Sequence, residues 1–254
     1  LRSDGTVSTR TRAAVMAAED SGLRFVIATG RPPRWIAPIV EQLGDRGLVI
    51  CANGAAVYDP AEHRLVSCIE LKAEVVLSLV DEILDAFPDA LLGCEQGFDF
   101  SLDESFKQKN QGLVGSWKLE GLQVGPIRSF LDRDVLKLIV RLPSPAAPGT
   151  ADALQAVVGD RALVTHSIDE SFLELSHPSV HKAAAIEQLL SESGIAASQV
   201  VAFGDMPNDL EMIRWAGHGV AVANADPLLK AAADEVTASN DEDGVAQVIE
   251  RLLG

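Results

Sequence analysis

Residues 200–209 read VVAFGDMPND, and this string points to the kind of fold the chain adopts. Four successive apolar residues without polar alternation mark a strand covered on both faces, as in a parallel sheet. Gly204 permits a tight turn, and Pro207 suits the opening of a helix. The unit is therefore strand, polar loop, helix. Asp205 stands at the strand's carboxyl end, with Asn208 and Asp209 in the first helical turn. Ligands of parallel sheets bind at that end. A carboxylate beside a polar helix start suits a hard cation such as Mg²⁺. A purely local account, in which Asp205 caps the helix and Asp209 answers its dipole, fits equally well. The acidic spacing and central glycine of an EF-hand are missing.

Working outward, the pattern recurs. LRFVIA (23–28) delivers Thr29-Gly30-Arg31, and LVICA (48–52) delivers Asn53-Gly54-Ala55. Thr29 and Gly30 offer a hydroxyl and free N–H groups before a helix, which is an anion cradle. Asn53-Gly54 by itself reads as a turn needing positive φ. Arg31 is expected to face solvent. Lys182 opens the helical stretch KAAAIEQLLSESG (182–194), where the dipole disfavours a cation. It is a candidate for neutralising a phosphate oxygen, against the ordinary reading of a solvated lysine. His177 and His181 read as structural. The strand-tip residues should converge on one rim.

The rest of the chain sets the architecture. Ser8 caps a helix that stops at Gly22. Helices and buried strands then alternate until about residue 71, implying right-handed βαβ units and a parallel sheet. Thereafter a helix over 73–86 precedes ALLGCEQ, FDFSL and VLKLIVRL, which read as antiparallel strands. The Pro-rich PSPAAPG (143–149) reads as an internal loop, ALVTH as an edge strand and FLELS as its companion. After Pro178 the first pattern returns, ending with VTAS as a last strand and a terminal helix. The expected fold is α/β. A Rossmann-like doubly wound parallel core (1–70 and 176–254) carries an inserted mixed α/β domain (71–175).

Composition narrows the function. The 254 residues carry 21 Lys and Arg against 37 Asp and Glu, a formal charge of −16. With no basic cluster, nucleic acid and anionic membranes are excluded as main partners, leaving a small molecule. No apolar run reaches a membrane span, and no secretory signal is visible. Cys51, Cys68 and Cys94 lack metal-ligand spacing and each reads as a buried free thiol, pointing to a reducing, cytoplasmic setting.

TGR after one buried strand, NGA after the next, a lysine opening a helix and GDMPND after a further strand resemble the haloacid dehalogenase superfamily. The insert's position, VAVANADPLLK and the closing NDEDGVAQVIERLL resemble its Cof-type, sugar-phosphatase-like branch. The resemblance implies a Mg²⁺-dependent phosphatase working through an aspartyl-phosphate intermediate, with the insert as a cap. It implies that Asp205 holds the metal. Thr29, Gly30 and Lys182 bind the phosphoryl group, and Asn53 and Asn208 position substrate or nucleophile. Asp209 supports the lysine or the metal's waters from behind. Polar cap residues that could meet a leaving group are Glu95, Asp99, Lys107 and Lys137. The family's Asp-x-Asp-Gly-Thr strand has no counterpart here. Asp4-Gly5-Thr6 mimics its end, but no apolar strand precedes it and Arg2 stands where an Asp belongs. The nucleophile is therefore expected upstream of Leu1, on a strand of about a dozen or more residues with its flanks. The alternatives are a phosphate-binding module without turnover and a phosphomutase.

Overall fold

The computed structural model describes residues 1–111, 114, 122–143, 146–166, 171–191 and 193–254. It is an α/β protein whose chain divides into two compact units. The first is Leu1–Arg31, Trp35–Val66 and His181–Gly254; the second is Pro32–Arg34 with Ser67–Val180.

In the first unit, α1 (Thr9–Asp20) starts where Ser8 accepts a hydrogen bond from Thr11 N and ends at Ser21 before the left-handed Gly22. β1 (Val26–Ala28) leads through Pro33–Trp35, a 3₁₀ turn, to α2 (Ala37–Leu43), with Pro38 in its first turn. β2 (Leu48–Cys51), β3 (Ala56–Asp59) and β4 (Arg64–Cys68) complete a sheet of order β1-β2-β3-β4, with β1 and β2 parallel.

The second unit opens with α3 (Ala73–Ala86). Its sheet is built from β5 (Leu91–Gln96), β6 (Asp99–Leu102), β7 (Gln123–Val124), β8 (Lys137–Arg141), β9 (Leu163–His166) and β10 (Phe172–Ser176). The order is β7-β6-β5-β8-β10-β9, antiparallel apart from β6 with β7. ALVTH thus forms an edge strand as expected. α4 (Glu104–Lys109) and α5 (Thr150–Val158) belong to this unit. Of the Pro-rich stretch, residues 144 and 145 lie outside the described residues.

Side-chain alternation decides what each face of this sheet does. Leu92, Cys94, Leu138, Val140, Leu173 and Leu175 pack against Val76, Leu79 and Ile83 of α3 and Leu154 and Val158 of α5. Each fully buried aliphatic side chain contributes about 1.5–3 kcal/mol. The opposite face is apolar at one end, where Leu91, Phe100, Leu102, Ile139 and Phe172 gather around Phe106 of α4.

Back in the first unit, α6 (Lys182–Ser191), β11 (Val201–Gly204), α7 (Leu210–Trp215), β12 (His218–Ala221), α8 (Pro227–Ala232), β13 (Glu235–Val236) and α9 (Gly244–Leu253) follow. β11, β12 and β13 form a parallel sheet. Val26, Ala28 and Ala202 pack with α6 and α7, whereas Ile27 and Phe203 pack with α1 and α9. Helices therefore cover both faces, the doubly wound arrangement.

Four expectations are corrected. The string 23–28 yields a three-residue strand whose residues are all only half-buried, because among the described residues β1 pairs with β2 alone. β11 likewise pairs only with β12, and Val201 and Phe203 stay half-buried. Cys68 is exposed, since β4 is the end strand of its sheet and buries alternate residues only weakly; Cys51 and Cys94 are buried, and all three are free thiols. The last strand is Glu235–Val236 and leaves most of VTAS outside it. Among the described residues no helix is long and apolar enough to cross a membrane.

Candidate phosphate site

The site is assembled from loops after three strands and the start of one helix. Beyond β1, Thr29 N donates to Ile50 O at 2.9 Å, and Thr29 O accepts from Asn53 N at 3.0 Å. Thr29 Oγ1 accepts from Arg31 N at 3.1 Å, tightening the turn, while the Arg31 side chain is exposed as expected. Beyond β2, Ala52 and Asn53 adopt φ of 51° and 60° and Gly54 115°. Left-handed backbone at an alanine costs of order 1 kcal/mol and persists only where the surroundings impose it. At Gly54 a close approach demands glycine: a Cβ there would lie 2.7 Å from His181 O, immediately before Lys182. Asn53-Gly54 thus seats the start of α6.

Asn208 Nδ2 donates to Asn53 Oδ1 at 2.9 Å, and a Cβ on Gly30 would lie 3.0 Å from the same oxygen. Gly30, Asn53 and Asn208 therefore meet. Lys182, 5% exposed, donates from Nζ to Asp209 Oδ1 at 2.5 Å; Asp209 is itself 4% exposed. The other carboxylate oxygen, Oδ2, accepts from Asp205 N and Met206 N, both at 3.0 Å. Asp209 thus fastens the lysine and the loop around Asp205 with one side chain. A Cβ on Gly204 would sit 2.6 Å from Asp209 Cβ, so glycine is required for that approach. The helix opens with a 3₁₀ turn, Pro207–Asp209, ahead of α7.

These contacts decide between the local and the chemical accounts of GDMPND. Asp205 caps no helix, and its carboxylate accepts nothing from any other described residue. Asp209 binds a buried cation, which is more than a response to a dipole. Asp205 is exposed at the rim, and its carboxyl pKa is raised above the ordinary value of 3.8. Partial desolvation is the largest cause and the negative Asp209 the next, opposed by Lys182. His181 is structural: its Nδ1 accepts from Ala184 N at 3.1 Å, capping α6. Asp4 takes up its own turn, accepting from Thr6 N at 2.9 Å and Thr6 Oγ1 at 2.6 Å.

Thr29, Gly30, Asn53, Lys182, Asp205, Asn208 and Asp209 thus form one connected set. The sequence reading missed the contribution of Gly54, whose signal, a glycine after a strand-tip asparagine, was read only as a turn. In the second unit, Glu95 pairs with Arg34 at 2.9 Å and Lys137 with Glu174 at 2.9 Å, while Asp99 pairs with Arg133. Lys107 is exposed on α4. Arg34 and Glu174 were not anticipated; the polar residue inside FLELS was the available signal.

Residues 1–249 match the profile of the haloacid dehalogenase-like hydrolases, and the chain belongs to that family. Among curated relatives, the 5-amino-6-(5-phospho-D-ribitylamino)uracil phosphatase YitU of Bacillus subtilis is 27% identical, over 100% of this chain and 93% of its own. A phosphoglycolate phosphatase of Methanothermobacter thermautotrophicus is 29% identical over 99% and 96%. A haloacid dehalogenase-like hydrolase from Bacteroides thetaiotaomicron superposes with a TM-score of 0.82 at 27% identity, covering 99% of this chain and 94% of that one. Phosphatase is the enzyme class the two curated relatives share.

Proposed function

We propose that the protein is a Mg²⁺-dependent phosphomonoester hydrolase of a small phosphorylated metabolite, working through an aspartyl-phosphate intermediate. The observation that carries this reading is the buried Lys182–Asp209 pair, whose carboxylate also grips the Asp205 loop. It puts a fixed positive charge near Asp205, whose carboxylate takes no hydrogen bond or ion pair from another described residue.

Thr29 Oγ1, Gly30 N–H and Lys182 Nζ bind the phosphoryl oxygens and hold the charge that accumulates on them during transfer. Asn53 and Asn208 orient the anion, and Asp209 keeps the lysine in place. The residues present fit a hard cation. Asp205 offers an unshared carboxylate with a raised pKa, and magnesium sites take one or two carboxylates with several waters. Among the described residues no group of three His, Cys, Asp or Glu gathers at one point, so Asp205 is the residue that would hold such a cation, with water completing its shell. When bound, Mg²⁺ neutralises phosphate charge. A chain of charge −16 can then hold an anion, because the local field is set by lysine, metal and helix N-termini.

The attacking carboxylate belongs on a strand seated between β1 and β11, whose outer edges no described strand pairs. One carboxylate oxygen forms the bond to phosphorus as the bond to the leaving oxygen breaks. A second Asp protonates that oxygen, and water then releases phosphate. Residues 71–175 serve as a cap that selects the substrate.

The test is p-nitrophenyl phosphate with intact protein. Turnover that needs Mg²⁺ and stops with a chelator is expected. Phosphate binding without turnover would make the protein a binding module instead. An isomerised hexose phosphate with little free phosphate would make it a phosphomutase.

A further inference from the structure

His181 stands where the chain turns into α6, and one nitrogen of its ring meets two neighbours. Nδ1 accepts from Ala184 N at 3.1 Å, the N-cap bond to the third residue of the helix. The same nitrogen lies 3.1 Å from Glu211 Oε2, in the first turn of α7. The two contacts need opposite states of one atom. An amide donates only to a bare Nδ1, with the ring neutral and its proton on Nε2; a carboxylate is bonded only by an Nδ1–H. Ser, Thr and Asn, the common neutral caps, accept at any pH. Imidazole does not, because its charge changes between about pH 5 and 8.

The position matters because of the residue that follows. Lys182 is 5% exposed, with Nζ on Asp209 Oδ1 at 2.5 Å. The His181 carbonyl accepts from Ala185 N at 3.2 Å and lies against Gly54, where a Cβ would come within 2.7 Å of it. One residue therefore sets the first turn of α6, through its carbonyl and through its ring. Glu211 stands two residues beyond Asp209, so the rival for Nδ1 belongs to the segment that holds the lysine. Within the first unit, the 52–54 turn packed on α6 carries no titratable group. The charged side chain that α7 sets against the ring is Glu211, and the adjoining lysine is taken up by Asp209.

We infer that His181 is a positioning residue for Lys182: its neutral ring caps α6 and holds the lysine against Asp209, while its protonated ring turns to Glu211 and gives up the cap. The lysine is held on the alkaline side of the imidazole titration and loosened on the acid side. The added charge sits on a half-exposed ring, where water and salt screen it, so it does not replace the lost geometry. That Lys182 meets phosphate rests on the phosphatase reading; that His181 positions Lys182 does not.

Two readouts keep these apart. The first needs no substrate. Acetic anhydride labels the intact protein and mass spectrometry follows Lys182, with Lys137, 1% exposed in the second unit, as internal control. His181→Ala should raise the labelling rate of Lys182 about fivefold, the scale of one lost N-cap, and leave Lys137 unchanged. His181→Asn, which accepts without titrating, should restore the parent rate. The ratio of the parent's Lys182 rate to that of His181→Asn should rise as pH falls from about 8 to about 5.5, and Glu211→Gln should move that rise to lower pH. Equal rates in the parent and His181→Ala, an asparagine that fails to restore them, or a rise at both lysines would each overturn the inference. The second readout is inhibition of p-nitrophenyl phosphate hydrolysis by inorganic phosphate in the Mg²⁺-loaded protein. Its Ki should rise about fivefold in His181→Ala and return in His181→Asn. Hydrolysis with a Ki that His181→Ala leaves unmoved overturns the inference whatever the labelling shows. If the parent hydrolyses no ester while the labelling follows the expected course, the phosphatase reading fails and the role of His181 stands.

Discussion

Two buried carboxylates, Asp209 in the first unit and Glu95 in the second, answer the same problem in different ways. Asp209 has both oxygens engaged, one by Lys182 and the other by two backbone N–H groups. Glu95 has one oxygen on Arg34 and, among the described residues, nothing on the other. A saturated carboxylate fixes its neighbours and can do little else. One with an unused oxygen costs stability. The first pattern suits a group that holds a loop and a lysine still; the second leaves a buried acceptor unsatisfied.

The comparison breaks most visibly at Lys182. Lys182→Ala strands the Asp209 charge and should destabilise the fold by about 3–5 kcal/mol. It should also cut turnover by orders of magnitude through loss of a charge-assisted contact. Urea unfolding and kcat/KM read both, and a cost below about 1 kcal/mol would show that Asp209 does not depend on the lysine. Glu95→Gln should cost less in the same unfolding assay, because half of that carboxylate bonds nothing. Next in size, Gly204→Ala drives a Cβ into Asp209 and should cost about 1–3 kcal/mol, with the loss of phosphate affinity that a displaced Asp209 implies. Unchanged phosphate binding in that variant would show that the 204–209 loop does not govern the site.

Asp205→Asn sharpens the contrast through pH. The folded carboxyl pKa lies above 3.8, so the folded chain holds its proton longer than the unfolded one. Ionisation therefore erodes stability as pH rises from about 3.8 through the raised value. The asparagine variant should melt higher than the parent at pH 7 and equally near pH 3, and it should lose Mg²⁺-dependent turnover. A lower melting point at pH 7 would mean that Asp205 has a stabilising partner. The smallest effect is expected at Asn208→Ala, which removes one exposed hydrogen bond to Asn53: about 0.5–1.5 kcal/mol, with a severalfold drop in kcat/KM.

Much of the first unit was legible because its chemistry sits where the chain changes state. Thr29, Asn53 and Asp205 each end an apolar run, and Lys182 opposes a helix dipole, so local physics singles them out. The pairing of Lys182 with Asp209 was open only as one option, since it joins residues 27 apart. The left-handed Ala52 left no sequence signal, and the approach of His181 to Gly54 joins segments far apart in the chain. In the second unit, Glu95 and Lys137 are single polar residues within apolar strands. Their meaning appears only when antiparallel register sets them side by side, and Arg34 arrives from 61 residues before Glu95. Half-buried β1 and exposed Cys68 went unread for a related reason: a strand's position in its sheet is not a property of its own residues.

The most direct measurement is a crystal structure of the intact protein soaked with Mg²⁺ and tungstate, a dense tetrahedral stand-in for phosphate. The account predicts the anion within hydrogen-bonding distance of Thr29 Oγ1, Gly30 N and Lys182 Nζ, with the cation against Asp205. Tungstate bound elsewhere, with Lys182 still closed on Asp209 and no cation at Asp205, would contradict it.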